Sequence, residues 1–129
     1  GDVGILIVPE TQTASLLLSA FGSEDLYSKS VWGAYRGFLD NNIQADFVHI
    51  DDIDEYDVVY FPYPIMLKTE HAQKLISWVR NGGTLISEAA RLSGILVRLG
   101  MSNSVLDCRR FLVLTRDQWN LCLIYIRII

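Results

Sequence analysis

Acidic residues form the densest cluster of ionisable side chains along the sequence of this 129-residue chain. A run of acidic residues spans residues 51–57, and it comprises Asp51, Asp52, Asp54, Glu55 and Asp57. A calcium loop of the EF-hand type would also need a central Gly and a later Glu at fixed spacing, and both are missing. We therefore interpret this run as a solvated acidic turn. Glu10 and Glu88 are both predicted near strand ends, where a glycosidase would hold its two carboxylates, but nothing around them favours that function over chance.

The candidate nucleophiles and bases also lack the sequence context of catalytic groups. His49 lies in a strand pattern and His71 in the first turn of a predicted helix. Neither has a Ser, Cys or Asp at a spacing that indicates a catalytic triad. Ser87 ends an apolar run, where a hydrolase or amidotransferase would carry its nucleophile elbow, but the flanking glycines of such an elbow are absent. We predict no catalytic residue in the chain.

Cofactor and metal motifs are also missing from the sequence. Neither the dinucleotide fingerprint G-x-G-x-x-G nor the phosphate loop G-x-x-x-x-G-K-[ST] occurs, and Gly82-Gly83 precedes a strand rather than following one. No Cys/His cluster has the spacing of metal ligands. Cys108 and Cys122 are interpreted as free buried thiols rather than a disulfide. We therefore expect no cofactor and no metal.

Charge and hydropathy argue against nucleic-acid and membrane partners. Residues 1–90 carry thirteen acidic and five basic side chains, whereas residues 91–129 carry six Arg and two Asp. These arginines are scattered among aliphatic residues, without the aromatic-plus-basic stripe that holds single strands. No apolar run reaches 18 residues, and no leader is visible, so we expect a cytoplasmic protein. Because the chain opens at Gly1 without a Met, an original leader stays an open alternative.

The elements that would position these side chains alternate between strands and helices. Apolar, β-branched runs predict four strands: Val3–Pro9, Ala45–Ile50, Val58–Pro64 and the run after Gly83. Helical periods begin at Asp25 and at Thr69, which is predicted to cap its helix, and a short helix near Ala14–Phe21 interrupts a loop. This alternation predicts an α/β fold, a three-layer α/β/α doubly wound structure with a mainly parallel sheet.

Two glycine pairs have a predicted structural use. Gly82-Gly83 directly follows the helix that begins at Thr69 and precedes a strand, which is typical of a helix stop. Gly33 and Gly37 lie four residues apart, on one face of the helix that begins at Asp25. We predict that this face packs closely against another helix or the sheet, or across a subunit boundary.

The order of the segments resembles a known family. The resemblance is carried by "VWGAYRGFLDNNIQADFV" at residues 31–48 and by "EYDVVYFPYPIMLKTEHAQKLISWVRNGGTLIS" at residues 55–87. Over about residues 3–90 the chain resembles the trimerisation domain of the family-42 β-galactosidases. That resemblance implies a flavodoxin-like fold of the class I glutamine amidotransferase-like type, without the nucleophile of that superfamily.

The resemblance implies a non-catalytic assembly domain of a larger enzyme. The catalytic glutamates of the family lie in a separate (β/α)8 barrel, which takes about 250 residues and has no counterpart here. The implied partner is a second copy of the parent enzyme, as a homotrimer. Because aromatic and Arg side chains anchor interfaces, we predict Trp32, Tyr35, Arg36 and Tyr63 as interface residues.

Residues 91–129 depart from the family pattern. We predict a single amidotransferase-like domain over residues 1–129. The final run of its tail, "LCLIYIRII", is either a genuine closing strand or the product of a truncated or frame-shifted gene. Two further functions stay open for the chain. One is a stand-alone amidotransferase-like module that binds or hydrolyses a small ligand, and the other is a soluble α/β domain of unknown role.

Overall fold

A computed structural model describes the chain over residues 1–22, 25–64 and 66–88, together with the backbone of residues 111–115 and 118–122. In chain order the elements of these ranges are β1 (Val3–Leu6), α1 (Pro9–Ala20), α2 (Leu26–Asp40), β2 (Ala45–Val48), a 3-10 helix (Ile50–Glu55), β3 (Val58–Phe61), α3 (Thr69–Arg80), β4 (Thr84–Glu88), β5 (Phe111–Thr115) and β6 (Gln118–Cys122). Within the described residues no helix is long and apolar enough to cross a membrane.

The strands form one sheet in the order β2-β1-β3-β4-β5-β6. The first four strands along the chain pair in parallel, and β5 and β6 are added antiparallel. The predicted α/β fold with a mainly parallel sheet is confirmed. The chain passes from β1 to β2 on one side and then to β3 on the other side of β1. The switch in strand order therefore lies between β1 and β3, where such sheets open a crevice at the carboxyl ends of their strands.

Helices cover both faces of the sheet. Consecutive strand residues point to opposite faces, and Val59 and Tyr60 of β3 identify the two sides. Val59 belongs to a buried cluster that α3 completes with Leu75, Trp78 and Val79, whereas the Tyr60 ring meets Phe38 of α2 edge to face, with centroids 5.9 Å apart. The three predicted layers are therefore present, with α3 on one face and α2 on the other.

The Gly82-Gly83 pair ends α3 as predicted. Gly82 has a φ of +116°, a backbone conformation that favours glycine, and its N–H bonds the Val79 carbonyl at 3.0 Å. Gly83 lies against the ring of Trp78, and a Cβ at this position would overlap the indole. Glycine is thus needed at the two positions for different reasons: Gly82 permits the turn, and Gly83 permits the close approach of Trp78.

Helix α1 is the largest correction to the predicted elements. A loop with a short helix was expected between β1 and α2, but a 12-residue helix begins directly at Pro9. Proline is favoured at the first position of a helix, so this residue was a usable signal. The buried residues of α1 are the polar Thr11 and Ser15. An apolar period is therefore missing from the buried side of this helix, which explains why pattern reasoning did not find it.

Three smaller corrections concern ends and turns. The residue that caps α3 is Lys68, because the chain is still extended there and Thr69 is already helical, so Thr69 comes one residue too late for the cap. The acidic turn is a 3-10 helix over Ile50–Glu55. The tail contributes β5 and β6 as an antiparallel pair that its poor periodicity did not indicate.

Several predictions fall on parts of the chain beyond the described residues. Cys108, the side chain of Cys122 and the apolar run of residues 123–129 lie there. The thiol state of the two cysteines and the origin of the tail therefore remain predictions. The single domain over residues 1–129 and the cytoplasmic location remain predictions as well.

Candidate functional site

Three aromatic rings meet on the outer side of α2 and the edge strand β2. Trp32 and Tyr35 of α2 contact each other at 6.2 Å between ring centroids, and Phe47 of β2 lies 6.3 Å from Trp32 and 5.4 Å from Tyr35. Trp32 is 62% exposed and Phe47 is 48% exposed. We call these three residues the aromatic patch. An exposed aromatic cluster of this kind is typical of a surface that another polypeptide covers.

A polar cap fixes the start of α2, the helix that carries Trp32 and Tyr35. Asp25 is the N-cap residue, and its carboxylate accepts the Ser28 hydroxyl at 2.6 Å and the Ser28 N–H at 3.1 Å. The same carboxylate accepts the hydroxyl of Ser15 in α1 at 3.2 Å. The Ser28 hydroxyl, followed by the Ser28 N–H, lowers the pKa of Asp25. One ionised side chain therefore caps α2 and ties α1 to it.

The surface next to the aromatic patch is open. A Cβ built at Gly33 or Gly37 meets nothing within 4 Å. The prediction that these glycines pack against the sheet or another helix of the same chain is therefore wrong for the described residues. Packing across a subunit boundary stays a prediction. Arg36 is exposed on the same helix, about one turn after Trp32.

Tyr63, the fourth predicted interface residue, lies in the loop after β3. It has a φ of +40°, which is uncommon for a residue with a side chain. Its N–H donates to Glu88 Oε2 at 3.2 Å, and Tyr60 donates its hydroxyl to Glu88 Oε1 at 2.7 Å. Ser30 of α2 donates to the same oxygen. Burial, and then the charge of Glu88, raise the pKa of Tyr60, so this phenol stays a donor. Glu88 thus fastens α2 and the Tyr63 loop to the end of β4.

A cleft of about 630 Å³ opens at the carboxyl ends of β1, β2 and β3. Its walls come from the start of α1, the residue after β2 and the segment that leads into α3; the lining residues are Pro9, Glu10, Thr13, Ala14, Leu17, His49, Met66, Lys68 and His71. This is the side of the sheet on which the strand order switches between β1 and β3. We call it the switch-point cleft.

A carboxylate, an ammonium and an imidazole meet in the wall of this cleft. Glu10 Oε1 lies 3.4 Å from Lys68 Nζ and 3.4 Å from His71 Nδ1. Burial acts to raise the pKa of Glu10, but the backbone N–H of Glu10 and the neighbouring Lys68 and His71 side chains outweigh it, so the pKa is lowered. Both Glu10 oxygens and His71 Nδ1 are shielded from solvent and lack a hydrogen-bond partner of good geometry.

The residues considered for catalysis are separated by the fold. Glu10 contacts Lys68 and His71, whereas Glu88 contacts Ser30, Tyr60 and Tyr63, so the described contacts of the two carboxylates share no residue. Ser87 is buried, and its hydroxyl donates to the carbonyls of Phe61 and Glu88, each at 3.3 Å. A hydroxyl committed to backbone carbonyls is not arranged as a nucleophile with an adjacent base.

The acidic 3-10 helix has local partners. His49 precedes it, and its Nδ1 accepts the Asp51 N–H at 3.4 Å. Lys74 of α3 donates to the Asp51 carbonyl at 2.8 Å and lies 3.6 Å from the Asp54 carboxylate. In the part of the chain that the structure describes, no group of three or more His, Cys, Asp or Glu residues is placed to hold a metal ion.

Sequence reasoning found part of the aromatic patch and missed the rest. Trp32 and Tyr35 were predicted, and they do meet. Phe47 was missed, although the alternation within "ADFV" places it on the opposite face from the buried Val48. The switch-point cleft was missed as a whole, because its walls come from segments far apart in sequence.

Comparison with known proteins identifies the group to which the chain is similar. A family model described as the beta-galactosidase trimerisation domain matches residues 7–97. Beta-galactosidase BgaP of Planococcus sp. (strain L4) is 39% identical over 62 residues, which is 47% of this chain and 9% of that protein. Beta-galactosidase LacA of Lactobacillus acidophilus is 34% identical over 67 residues, which is 50% of this chain and 10% of that protein. The chain thus matches about a tenth of the length of these curated relatives.

A solved structure agrees with these matches. The crystal structure of beta-galactosidase from Bifidobacterium adolescentis superimposes with a TM-score of 0.60 and 27% sequence identity, over 69% of this chain and 40% of that one. The family predicted from residues 3–90 is therefore confirmed.

Proposed function

The chain belongs to the beta-galactosidase trimerisation domain family, and we propose that it holds together the three subunits of a homotrimeric glycoside hydrolase of the β-galactosidase type. In this proposal the chain is an oligomerisation domain without activity of its own. The parent enzyme would carry its catalytic carboxylates in a separate barrel. The alternative of a hydrolase acting alone is less well supported, because Ser87 and Glu88 are engaged in structural hydrogen bonds.

The observation that carries the proposal is the aromatic patch. Trp32 exposes 62% of its surface although two other rings lie within contact distance. Aromatic side chains supply large contact areas and are enriched at the centres of interfaces. Gly33 and Gly37 leave open space beside the patch, so a partner helix can approach the α2 backbone closely. Arg36 lies on the same helix, and arginine is enriched, together with tryptophan and tyrosine, among the residues that dominate binding at interfaces.

A closed trimer also needs a second surface. In a cyclic trimer each subunit meets its neighbour through two different surfaces, because the contact is heterologous. The outer side of α1 supplies a second apolar surface through Leu16, Leu17 and Leu18, which are exposed by 53%, 60% and 49%. Tyr63 remains a proposed interface residue, whose backbone is held by Glu88.

The experiment is to measure the mass of the full chain by light scattering after size exclusion, over a wide range of concentrations. We expect a discrete trimer that dissociates on dilution. Trp32→Glu places a charge in the centre of the aromatic patch and should weaken each contact by about 2 kcal/mol or more, which is roughly 30-fold in affinity. The trimer should then dissociate at concentrations at which the unchanged chain stays associated.

Gln73→Glu is the matched control, since it introduces the same residue on the exposed side of α3. Its mass profile should equal that of the unchanged chain. A monomer at every concentration would rule out assembly through this chain alone. A trimer that resists Trp32→Glu would keep the assembly role and reject the aromatic patch as its surface.

A further inference from the structure

We propose that the switch-point cleft binds a small, neutral, hydroxyl-bearing molecule of the monosaccharide class, through Glu10, Lys68 and His71. This site goes beyond the role in assembly and does not depend on it. It rests on the position of the cleft, on polar atoms in its wall that make no hydrogen bond of good geometry, and on the balance of charge around them.

The position of the cleft is where α/β sheets hold ligands. The strand order switches between β1 and β3, and the cleft is lined by residues that follow these two strands. Its volume of about 630 Å³ falls within the range of roughly 300–1,000 Å³ that is usual for small-molecule sites. Leu17, Met66, Pro9 and Ala14 supply an apolar wall beside the polar groups.

The polar atoms in the wall have unfilled hydrogen-bonding capacity. Both oxygens of Glu10 and Nδ1 of His71 are shielded from water and make no hydrogen bond of good geometry, although Glu10 Oε1 lies 3.4 Å from both Lys68 Nζ and His71 Nδ1. A buried polar atom without a hydrogen bond is unfavourable, so a ligand group that supplies such a bond is favoured here. Glu10 Oε1 and His71 Nδ1 are 3.4 Å apart, a separation that one hydroxyl oxygen can bridge at about 2.8 Å from each atom.

Access to these atoms requires one side chain to move. Lys68 lies over Glu10 with Nζ 3.4 Å from its carboxylate, which is longer than a strong charge-assisted bond, and its side chain is 58% exposed. When Lys68 turns outward, the carboxylate faces the cleft, and the ammonium stays within reach of a neighbouring hydroxyl. An acceptor and a donor side by side suit two adjacent hydroxyl groups of one molecule.

The balance of charge favours a neutral ligand over an ion. Glu10 offsets Lys68. Each of the two helices that start at the cleft, α1 and α3, already carries a carboxylate in its first turn, from Glu10 and Glu70. The positive ends of both helices are therefore matched from within the chain. A hydroxyl group both donates and accepts, so one hydroxyl can bond to Glu10 Oε1 and to Nδ1 of His71 at once.

The test is a titration of the isotope-labelled full chain with D-galactose and with D-glucose, followed by amide chemical shifts. At least one sugar should produce saturable shifts at Ala14, Lys68 and His71. Glu10→Gln should weaken binding about tenfold, because a bond to a charged acceptor becomes a bond to an amide. Glu70→Gln is the matched control, since it makes the same change one residue from His71 on an exposed position, and it should bind as the unchanged chain does.

Met66→Arg provides a second variant that avoids both the buried groups and the leucines of the proposed α1 interface. Met66 is exposed and lines the cleft, so a long charged side chain there should block binding while the amide spectrum stays that of a folded protein. Shifts that rise linearly to the highest sugar concentration would overturn the proposal. So would unchanged affinity in Glu10→Gln, or saturation of the same amides by sodium phosphate and not by the sugars. None of these results would alter the mass of the trimer, so the assembly role is tested separately.

Discussion

The helical layers on the two faces of the sheet differ in which side of the helix is apolar. Helix α3 buries Leu75, Trp78 and Val79 against the sheet and turns polar residues outward. Helix α1 does the reverse, because it buries Thr11 and Ser15 and exposes Leu16, Leu17 and Leu18. Helix α2 buries Tyr27 and Val31 but leaves Trp32 exposed.

This difference separates folding from assembly. The apolar surface of the α3 layer is buried within the chain, so its side chains contribute mainly to the free energy of unfolding. The α1–α2 layer keeps large apolar side chains outside, where they contribute little to the folded monomer and are available to a partner. The two layers should therefore respond differently to the same substitution.

The largest expected contrast is between two tryptophans. Trp78 is 6% exposed and donates its indole N–H to the Tyr56 carbonyl at 3.2 Å. Trp78→Ala should lower the free energy of unfolding by about 3–5 kcal/mol, because it leaves a large cavity. Trp32→Ala should change it by about 0.5 kcal/mol or less, since this side chain is largely exposed. Urea unfolding at concentrations below association measures both values.

Light scattering supplies the complementary readout for the same pair. Trp32→Ala should shift the trimer toward smaller species, whereas the Trp78 variant should associate to the extent that it folds. Equal losses of unfolding free energy in the two variants would remove the distinction between the layers.

A smaller contrast is expected between two glycines. Gly83→Ala places a methyl group into the indole of Trp78 and should destabilise the chain by about 1–3 kcal/mol. Gly37→Ala fills open space on α2 and should stabilise the monomer by about 0.5–1 kcal/mol, because alanine favours the helix. If α2 packs closely against a neighbouring subunit, the same Gly37 variant should dissociate more readily. A variant that gains stability and keeps its trimer would place the contact elsewhere on the layer.

The smallest expected effect concerns pH and the cap that joins α1 to α2. The pKa of Asp25 is lowered in the folded chain, chiefly by the Ser28 hydroxyl. The stabilisation is therefore fully present above the unfolded value of about 3.9 and is lost as the pH falls through the folded pKa. Asp25→Ala should be less stable than the unchanged chain at neutral pH, and the difference should shrink as the pH falls below about 3.9.

Asp25→Asn is the control for this cap, because asparagine keeps the capping oxygen without the ionisation. Its difference in stability from Asp25→Ala should not show the acid-dependent loss. Urea unfolding followed by circular dichroism at several pH values measures all three proteins. A difference between the unchanged chain and the alanine variant that is constant down to pH 2 would contradict the ionised cap.

Much of the fold was predictable because its signals are local. The strands β1 to β4 and the helices α2 and α3 follow from apolar runs and helical periods, and the stop at Gly82 follows from the backbone freedom of glycine. Helix α1 was hidden because its buried side chains are polar and its leucines are exposed. The pairing of β5 with β6 was hidden because the tail has no clear alternation.

The candidate sites were less predictable, since each depends on contacts between distant residues. Trp32 and Tyr35 are close in sequence and were found together, whereas Phe47 joins them through the edge position of β2. The engagement of Glu88 with Ser30 spans 58 residues, and Glu10 meets His71 across a similar stretch of chain.

By itself, then, the sequence determined the class of the fold and the absence of a nucleophile elbow, because periodicity, glycine conformation and motif spacing are properties of neighbouring residues. The family was indicated by the resemblance that the order of its segments carries. The tertiary structure alone decided which apolar side chains remain outside and which carboxylate is joined to which donor. These outcomes depend on strand order, which brings the ends of β1 and β3 to one cleft and Phe47 to α2. Strand order is set by the packing of the whole sheet, and no local pattern encodes it.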